Sequence, residues 1–188
     1  MRLTHRHQNH EQHFVKGLKS ESRSSQKEVF EHYSPKMLSI CKSYINDFHY
    51  AEDCMINGFC KVFQHIQRFE SKGSFEGWIR RIMVNECLSF LRTNQTLIYL
   101  DDNRFSDLDE TDDWEENEFD FDVHAVLDQL ENPYRIVFNL YVLENYSHQD
   151  IAEQLNISVS SSKTQLHRAK GKLKEIVLNL KKLNYEKE

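Results

Sequence analysis

The chain has 188 residues, 39% of them hydrophobic, with only five glycines and two prolines. That apolar fraction is low for one large core. Turn-rich β-sandwiches and β-barrels would need more glycine and proline than this chain has, so two small helical domains fit the composition better. No apolar stretch is long enough for a membrane span or a secretory signal, and the four cysteines form no C-x-x-C pair, so we expect a cytoplasmic protein without membrane insertion.

The net charge of −6 is distributed very unevenly. The stretch from Asp101 to Asp122 contains 12 acidic residues and one basic residue, Arg104, so it carries −11 and leaves +5 on the remainder. Too few aliphatic residues and too much self-repulsion predict that residues 94–122 form an extended acidic linker. Two mildly basic bodies that flank such a linker are compatible with nucleic-acid binding.

Residues 1–24 are polar and rich in histidine, with one apolar patch at Phe14, Val15 and Leu18. This composition predicts a frayed start with one short helix. The four histidines His5, His7, His10 and His13 suggest a metal, but His10 and His13 are one residue short of the H-E-x-x-H spacing, so we predict no metal site.

A first domain is predicted for residues 25–93. Apolar positions recur at helical spacing from Lys27 to Ile45, and Pro35 predicts that a second helix begins within this range. In the next helix, Ala51 to Ile66, one face is apolar and packs. The opposite face meets solvent or a partner and carries Asp53, Asn57, Lys61 and Gln64.

A loop around Ser71 to Ser74 leads into a helix from Phe75 to about Arg92. Its packing positions are Phe75, Ile79, Ile82, Met83, Cys87 and Phe90. A separate stripe carries Trp78, Arg81, Asn85 and Arg92. An aromatic ring, two arginines and an amide on one outward stripe are suited to reading DNA.

The second domain, residues 123–188, contains a predicted helix-turn-helix. Ser147 and Asp150 have capping-box spacing, Asn156 can adopt the left-handed conformation that ends a helix, and Ser158 can cap the next one. A second helix that follows so tight a turn can lie in a major groove. The alternative is a helical hairpin with an ordinary solvated face.

The second helix of this motif has one buried and one outward face. Ser162, Leu166, Ala169 and Leu173 share the buried face. The outward and flanking positions carry Ser160, Ser161, Lys163, Thr164, Gln165, His167 and Arg168, and Lys170, Lys172 and Lys174 add charge for phosphates.

Three runs in the second domain, Leu127 to Phe138, Tyr146 to Ser158 and Lys163 to Lys170, resemble the C-terminal domain of extracytoplasmic-function (ECF) sigma factors. The run from Gly73 to Asn85 resembles their N-terminal domain, and Ser74 to Ile82 is similar to the sigma factors of Bacteroidetes-type bacteria. The resemblance implies an all-α protein with an N-terminal helical bundle and a C-terminal helix-turn-helix bundle, joined by a flexible acidic linker.

The resemblance also implies which residues bind which partner. The helix Ala51 to Ile66 would dock on core RNA polymerase, and the helix from Ser158 would read the minus-thirty-five element. Residues Lys72 to Arg92 would read and help open the minus-ten element, with Lys72 among the DNA-binding residues. Asn85 and Trp78 would contact and stack on bases, and Arg80, Arg81 and Arg92 would bind phosphates. Such a factor is no enzyme and needs no cofactor; it is a monomer when free, and an anti-sigma factor restrains it.

Three positions depart from the family pattern. Ile56 and Asn57 replace a usual Gln-Glu pair, Asn156 replaces the turn glycine, and Ser162 replaces a buried valine. We expect the Ser162 hydroxyl to bond back to a carbonyl one turn earlier. Because Ile56 and Asn57 lie on the face implied to bind polymerase, the alternative function is a sigma-like decoy that binds an anti-sigma factor without promoter activity.

Overall fold

The computed structural model describes residues 2–93 and 123–185, and every regular element within these two ranges is a helix. The predicted linker, residues 94–122, lies outside them. The chain divides into two compact units, Met1–Asn94 and Gln95–Glu188. Neither described range contains a helix with the length and apolar character that a membrane crossing requires.

The first unit is a bundle of four α-helices with one short 3-10 turn. The helices are α1 (Arg2–Lys19), α2 (Arg23–Tyr44), α3 (Phe48–His65) and α4 (Phe75–Thr93), and the 3-10 turn is Ile66–Arg68. Helix α3 packs against both α2 and α4. Asp47 begins α3, because its carboxylate accepts hydrogen bonds from the backbone N–H groups of His49 and Tyr50.

Helix α2 is continuous through Pro35, so the prediction that a new helix begins there is wrong. A proline inside a helix removes one backbone hydrogen bond and crowds the preceding turn. Val29, Tyr33, Met37 and Cys41 lie on one face on both sides of the proline, and all four are buried. The burial of one apolar face along the whole helix outweighs the local cost of Pro35.

Helix α1 is longer than the short helix predicted for the N-terminal segment. Phe14 and Leu18 expose only 3% and 2% of their surface, so this end of α1 belongs to the core of the first unit. Gly17 lets α1 approach α2 closely, since a Cβ there would lie 2.1 Å from the Ser25 Oγ.

Three cysteines, one on each of α2, α3 and α4, meet in the core of the first unit. The Cys87 thiol is hydrogen-bonded to the thiols of Cys41 and Cys54, and all three are buried. These hydrogen bonds, together with burial, raise the pKa of Cys87, so its thiol stays protonated. The three buried side chains pack as small apolar groups. Cys60, in contrast, lies exposed on α3.

The second unit consists of shorter helices packed on one long one. They are α5 (Val123–Leu127), α6 (Asn132–Phe138), a π-helical turn (Asn139–Leu143), α7 (His148–Leu155) and α8 (Val159–Tyr185). One buried apolar cluster joins α5, α6 and α8 through Val126, Leu127, Leu130, Tyr134, Ala169 and Leu173.

An arginine is buried in this small unit. Arg135 on α6 exposes 1% of its side chain, and its guanidinium donates hydrogen bonds to Asp128 Oδ1 at 3.2 Å and to Asn132 Oδ1 at 2.8 Å. Burial lowers the pKa of Arg135, and the Asp128 carboxylate opposes that shift. The two oxygens replace part of the hydration that the cation loses.

Candidate nucleic-acid interface

The helix-turn-helix of the second unit is closed by the caps that the sequence predicts. Ser147 and Asp150 form a reciprocal capping box at the start of α7, and Asn156 ends α7 in the left-handed conformation, with φ 54° and ψ 48°. The Ser158 Oγ accepts a hydrogen bond from the backbone N–H of Ser161 at 3.0 Å and so begins α8. The angle between the two helices is therefore set by local interactions on both sides of the turn.

The buried face of α8 is wider than predicted. Ser162, Leu166, Ala169 and Leu173 are buried as expected. Gln165 is buried as well, exposing 4%, and its Nε2 donates to Ser161 Oγ at 3.2 Å. Gln165 therefore does not lie on the outward stripe, and its contact with DNA stays a prediction.

The outward stripe of α8 is centred on Lys163 and His167. Ser160, Lys163 and His167 are exposed, whereas Ser161, Thr164 and Arg168 are partly buried. The Arg168 guanidinium donates to the hydroxyl of Tyr134 on α6 at 3.4 Å, and the Lys172 ammonium lies 4.6 Å from the centre of the same ring. Arg168 therefore links α8 to α6, a contact that the helical spacing did not reveal.

The hydroxyl of Ser162 pairs with a side chain of α7. Its Oγ lies 2.9 Å from His148 Nδ1, so the expected bond back to a carbonyl one turn earlier is wrong. The His148 ring also stacks on Tyr141, with ring centres 4.6 Å apart. This polar contact satisfies a buried hydroxyl and joins the two helices of the motif.

In the first unit, α4 presents the predicted stripe. Arg81, Asn85 and Arg92 are exposed. Trp78 is partly buried: its ring stacks on Phe75, with centres 5.9 Å apart, and tilts against Phe69 at 5.3 Å. This cluster holds the indole against the end of the loop that precedes α4.

Two further residues predicted to meet the minus-ten element occupy different surroundings. Lys72 is exposed in the loop and forms an ion pair with Glu70 at 2.5 Å. Arg80 is partly buried. It follows Trp78 by two residues, and because each residue turns the helix by about 100°, Arg80 lies on a different side of α4 from Trp78. The structure therefore does not bring Arg80 together with the outward stripe.

The outward face of α3 carries the four residues predicted to contact polymerase. Asp53, Asn57, Lys61 and Gln64 are all exposed, and Lys61 forms an ion pair with Glu86 on α4. Ile56 lies on the same side and exposes 45% of its surface. A single exposed isoleucine among polar neighbours is ordinary on a protein surface, so the contact with polymerase stays a prediction.

The described residues contain no group of three His, Cys, Asp or Glu side chains that could hold a metal ion.

A helix-turn-helix in one unit and an exposed arginine and amide stripe in the other define a helical DNA-binding protein.

Comparison with known proteins identifies the family. Residues 29–96 match the model of sigma-70 region 2, and residues 120–173 match the model of sigma-70 region 4. The chain is 24% identical to the RNA polymerase sigma factor SigZ of Bacillus subtilis (strain 168) over 80% of this chain and 85% of that protein. It is also 24% identical to the ECF sigma factor SigW of that strain, over 88% and 96%.

Among solved structures, the chain is similar to the sigma factor RpoE in its complex with the anti-sigma factor NepR from Bartonella quintana. The identity is 20% and the TM-score is 0.49, over 80% of this chain and 95% of that one.

The chain belongs to the sigma-70 family and is an ECF sigma factor. It is a transcription initiation factor, not an enzyme: it binds core RNA polymerase and directs it to promoter DNA. The closer likeness to factors of Bacteroidetes-type bacteria stays a prediction.

Proposed function

We propose that the chain recognises promoters through two separate surfaces, one on each unit. The observation that carries this proposal is the presence in one chain of a fully capped helix-turn-helix and of an exposed arginine and amide stripe beside an aromatic cluster. A base-reading helix and a single-strand-binding surface are different chemistries, and promoter recognition followed by opening needs both.

On the first unit, the minus-ten surface comprises Lys72, Trp78, Arg81, Asn85 and Arg92. Asn85 is exposed and has an amide that can pair with a base edge, and the Trp78 ring offers a face for an unstacked base. The arginines and Lys72 bind phosphates. Arg80 is left out because it lies on another side of α4.

On the second unit, the minus-thirty-five surface comprises Ser160, Ser161, Lys163, Thr164, His167 and Arg168. Ser160, Lys163 and His167 are exposed, on the side of α8 that we expect to meet a duplex. Gln165 is left out because it is buried.

Core polymerase contacts the outward face of α3 through Asp53, Asn57, Lys61 and Gln64. The chain works in the cytoplasm as a monomer until it binds polymerase, and an anti-sigma factor restrains it. The domain boundaries that support this division are residues 25–93 and 123–188, with the acidic linker at 94–122 between them.

In vitro transcription tests the function directly. Purified core polymerase from the source cell is incubated with the full chain and with promoter fragments from the source genome, and transcripts are mapped. The chain is expected to bind core polymerase and to give defined start sites. If it binds an anti-sigma factor but no core polymerase, the decoy function, which Ile56 and Asn57 favour, is the correct one.

Lys163→Ala is expected to weaken duplex binding at every sequence, because its ammonium contacts phosphate and not a base. The slope of log affinity against log salt concentration should become shallower by about 0.9, which is the effect of one lost phosphate contact. The measurement is a salt titration of holoenzyme binding to duplex promoter DNA. Lys182→Ala, an exposed lysine near the other end of α8, is the matched control and should keep the original slope. An unchanged slope for Lys163→Ala would place Lys163 away from DNA.

A further inference from the structure

Helix α1 begins well before the region 2 match at residues 29–96, yet it contacts the loop that precedes α4. The Lys19 Nζ donates to the Phe69 carbonyl at 2.9 Å, and the Gln67 Nε2 donates to the Lys19 carbonyl at 2.9 Å. The C-terminal end of α1 is therefore tied to the beginning of this loop by two hydrogen bonds between groups about fifty residues apart in sequence.

The other end of the loop is held by Glu11. Its carboxylate accepts from the backbone N–H of Phe75 at 3.3 Å, from the backbone N–H of Glu76 at 3.4 Å and from Ser74 Oγ at 3.4 Å. A helix start leaves four N–H groups without partners inside the helix. Gly77 N–H is satisfied locally, since it donates to Ser74 Oγ, and Trp78 N–H makes the first ordinary helical bond, to the Ser74 carbonyl. Glu11 therefore serves two of the four groups and places negative charge at the positive end of α4.

A chain of aromatic rings runs beside these bonds from α1 to the minus-ten surface. Phe14 lies 5.9 Å from Tyr33, Tyr33 lies 5.9 Å from Phe75, and Phe75 stacks on Trp78 at the same separation. Burial, reinforced by the charges of Glu11 and Glu76, raises the pKa of Tyr33, so its ring stays neutral within this packing. Helix α1 thus contacts the surroundings of Trp78 by hydrogen bonds and by packing.

We propose that α1 is a positioning element of the minus-ten surface. Glu11 and Lys19 hold the loop between Gln67 and Ser74 and the first turn of α4 in the conformation in which Trp78 meets an unpaired base. The inference rests on the role proposed above for Trp78. The apparent affinity for the strand is proportional to the fraction of molecules in the competent conformation. Loss of the Glu11 hydrogen bonds lowers that fraction, and so weakens strand binding without changing any group that touches DNA.

Glu11→Ala in the full chain tests this, with holoenzyme reconstituted on purified core polymerase. The probe is a single-stranded oligonucleotide that carries the minus-ten element of a promoter selected by the unaltered holoenzyme. We expect about fivefold to tenfold weaker binding, the effect of a lost helix cap, and an intermediate loss for Glu11→Gln, which keeps one acceptor oxygen. Affinity for core polymerase and for a duplex that carries only the minus-thirty-five element should stay within about twofold.

Glu31→Ala is the matched control, because this exposed carboxylate on α2 forms an ion pair with Lys27 and lies on a different helix from Glu11. It should bind the strand normally. Unchanged strand binding by Glu11→Ala would overturn the inference, and so would an equal loss of strand, duplex and core binding, which indicates general unfolding. Trp78→Ala separates the two proposals: if it also binds normally, the minus-ten role of Trp78 fails, and if it alone is defective, only the role of α1 fails.

Discussion

Arg135→Ala is expected to remove most of the folding stability of the C-terminal unit, about 3 kcal/mol, whereas Arg135→Met should change it by less than about 1 kcal/mol. Alanine leaves a cavity where a fully buried side chain packed, and a unit of this size has only a few kcal/mol to lose. Methionine fills much of the same volume and removes the desolvated charge together with its cost. Hydrogen exchange of amides in α6 and α8 measures the unfolding free energy of this unit separately.

Arg168→Ala is the control for Arg135, because it removes the same residue type from the same unit at a partly exposed position. It should lower stability by no more than about 1 kcal/mol, since its contact with Tyr134 is long and partly solvated. If Arg135→Met were as damaging as Arg135→Ala, the hydrogen bonds to Asp128 and Asn132, and not the packed volume, would be what stabilises the unit.

Asn85→Ala and Trp78→Ala are expected to lower promoter opening by about tenfold to a hundredfold each, for different reasons. Asn85 is exposed, so its loss removes a base contact and leaves the fold within about 0.5 kcal/mol of the original. Trp78 also packs on Phe69 and Phe75, so its loss lowers the unfolding free energy as well. Permanganate reactivity of unpaired thymines measures opening, and urea unfolding measures stability.

The two variants have a shared test of specificity. Holoenzyme that carries either substitution should still bind a duplex with the minus-thirty-five element alone, and Trp78→Phe should recover part of the opening because it keeps a stacking surface. Normal opening by Asn85→Ala on every selected promoter would show that the amide reads no base.

Local patterns in the sequence predicted the helix-turn-helix well. The capping box at Ser147, the left-handed Asn156 and the cap at Ser158 depend on residues within three or four positions of each other, and the structure has all three. Helical periodicity also predicted the packed face of α3 and the exposed positions of α4. It was less accurate for the packed face of α4, where Ile82 and Phe90 are only partly buried and Val84, Leu88 and Leu91 are buried instead. At Pro35 the local rule that a proline starts a new helix gave a wrong prediction. The burial of one apolar face along the whole of α2 keeps the helix continuous there.

Contacts between residues distant in sequence could not be predicted. The pairing of His148 with Ser162 and the contact of Arg168 with Tyr134 depend on how helices cross, which periodicity does not specify. Gln165 is polar, so it was predicted to lie on a solvent-facing flank of α8. In the structure that flank is buried. Glu11 showed no signal, because its partners at the start of α4 lie more than sixty residues away.

The arrangement of the four thiols makes the natural chain ready for fluorescence work. Cys41, Cys54 and Cys87 are shielded in the core, whereas Cys60 is accessible on the α3 face, one helical turn from both Ile56 and Gln64. A maleimide dye added under native conditions will therefore label one defined position without any cysteine being removed or introduced. Because that position lies on the face assigned to polymerase, the dye's emission will report docking as it happens.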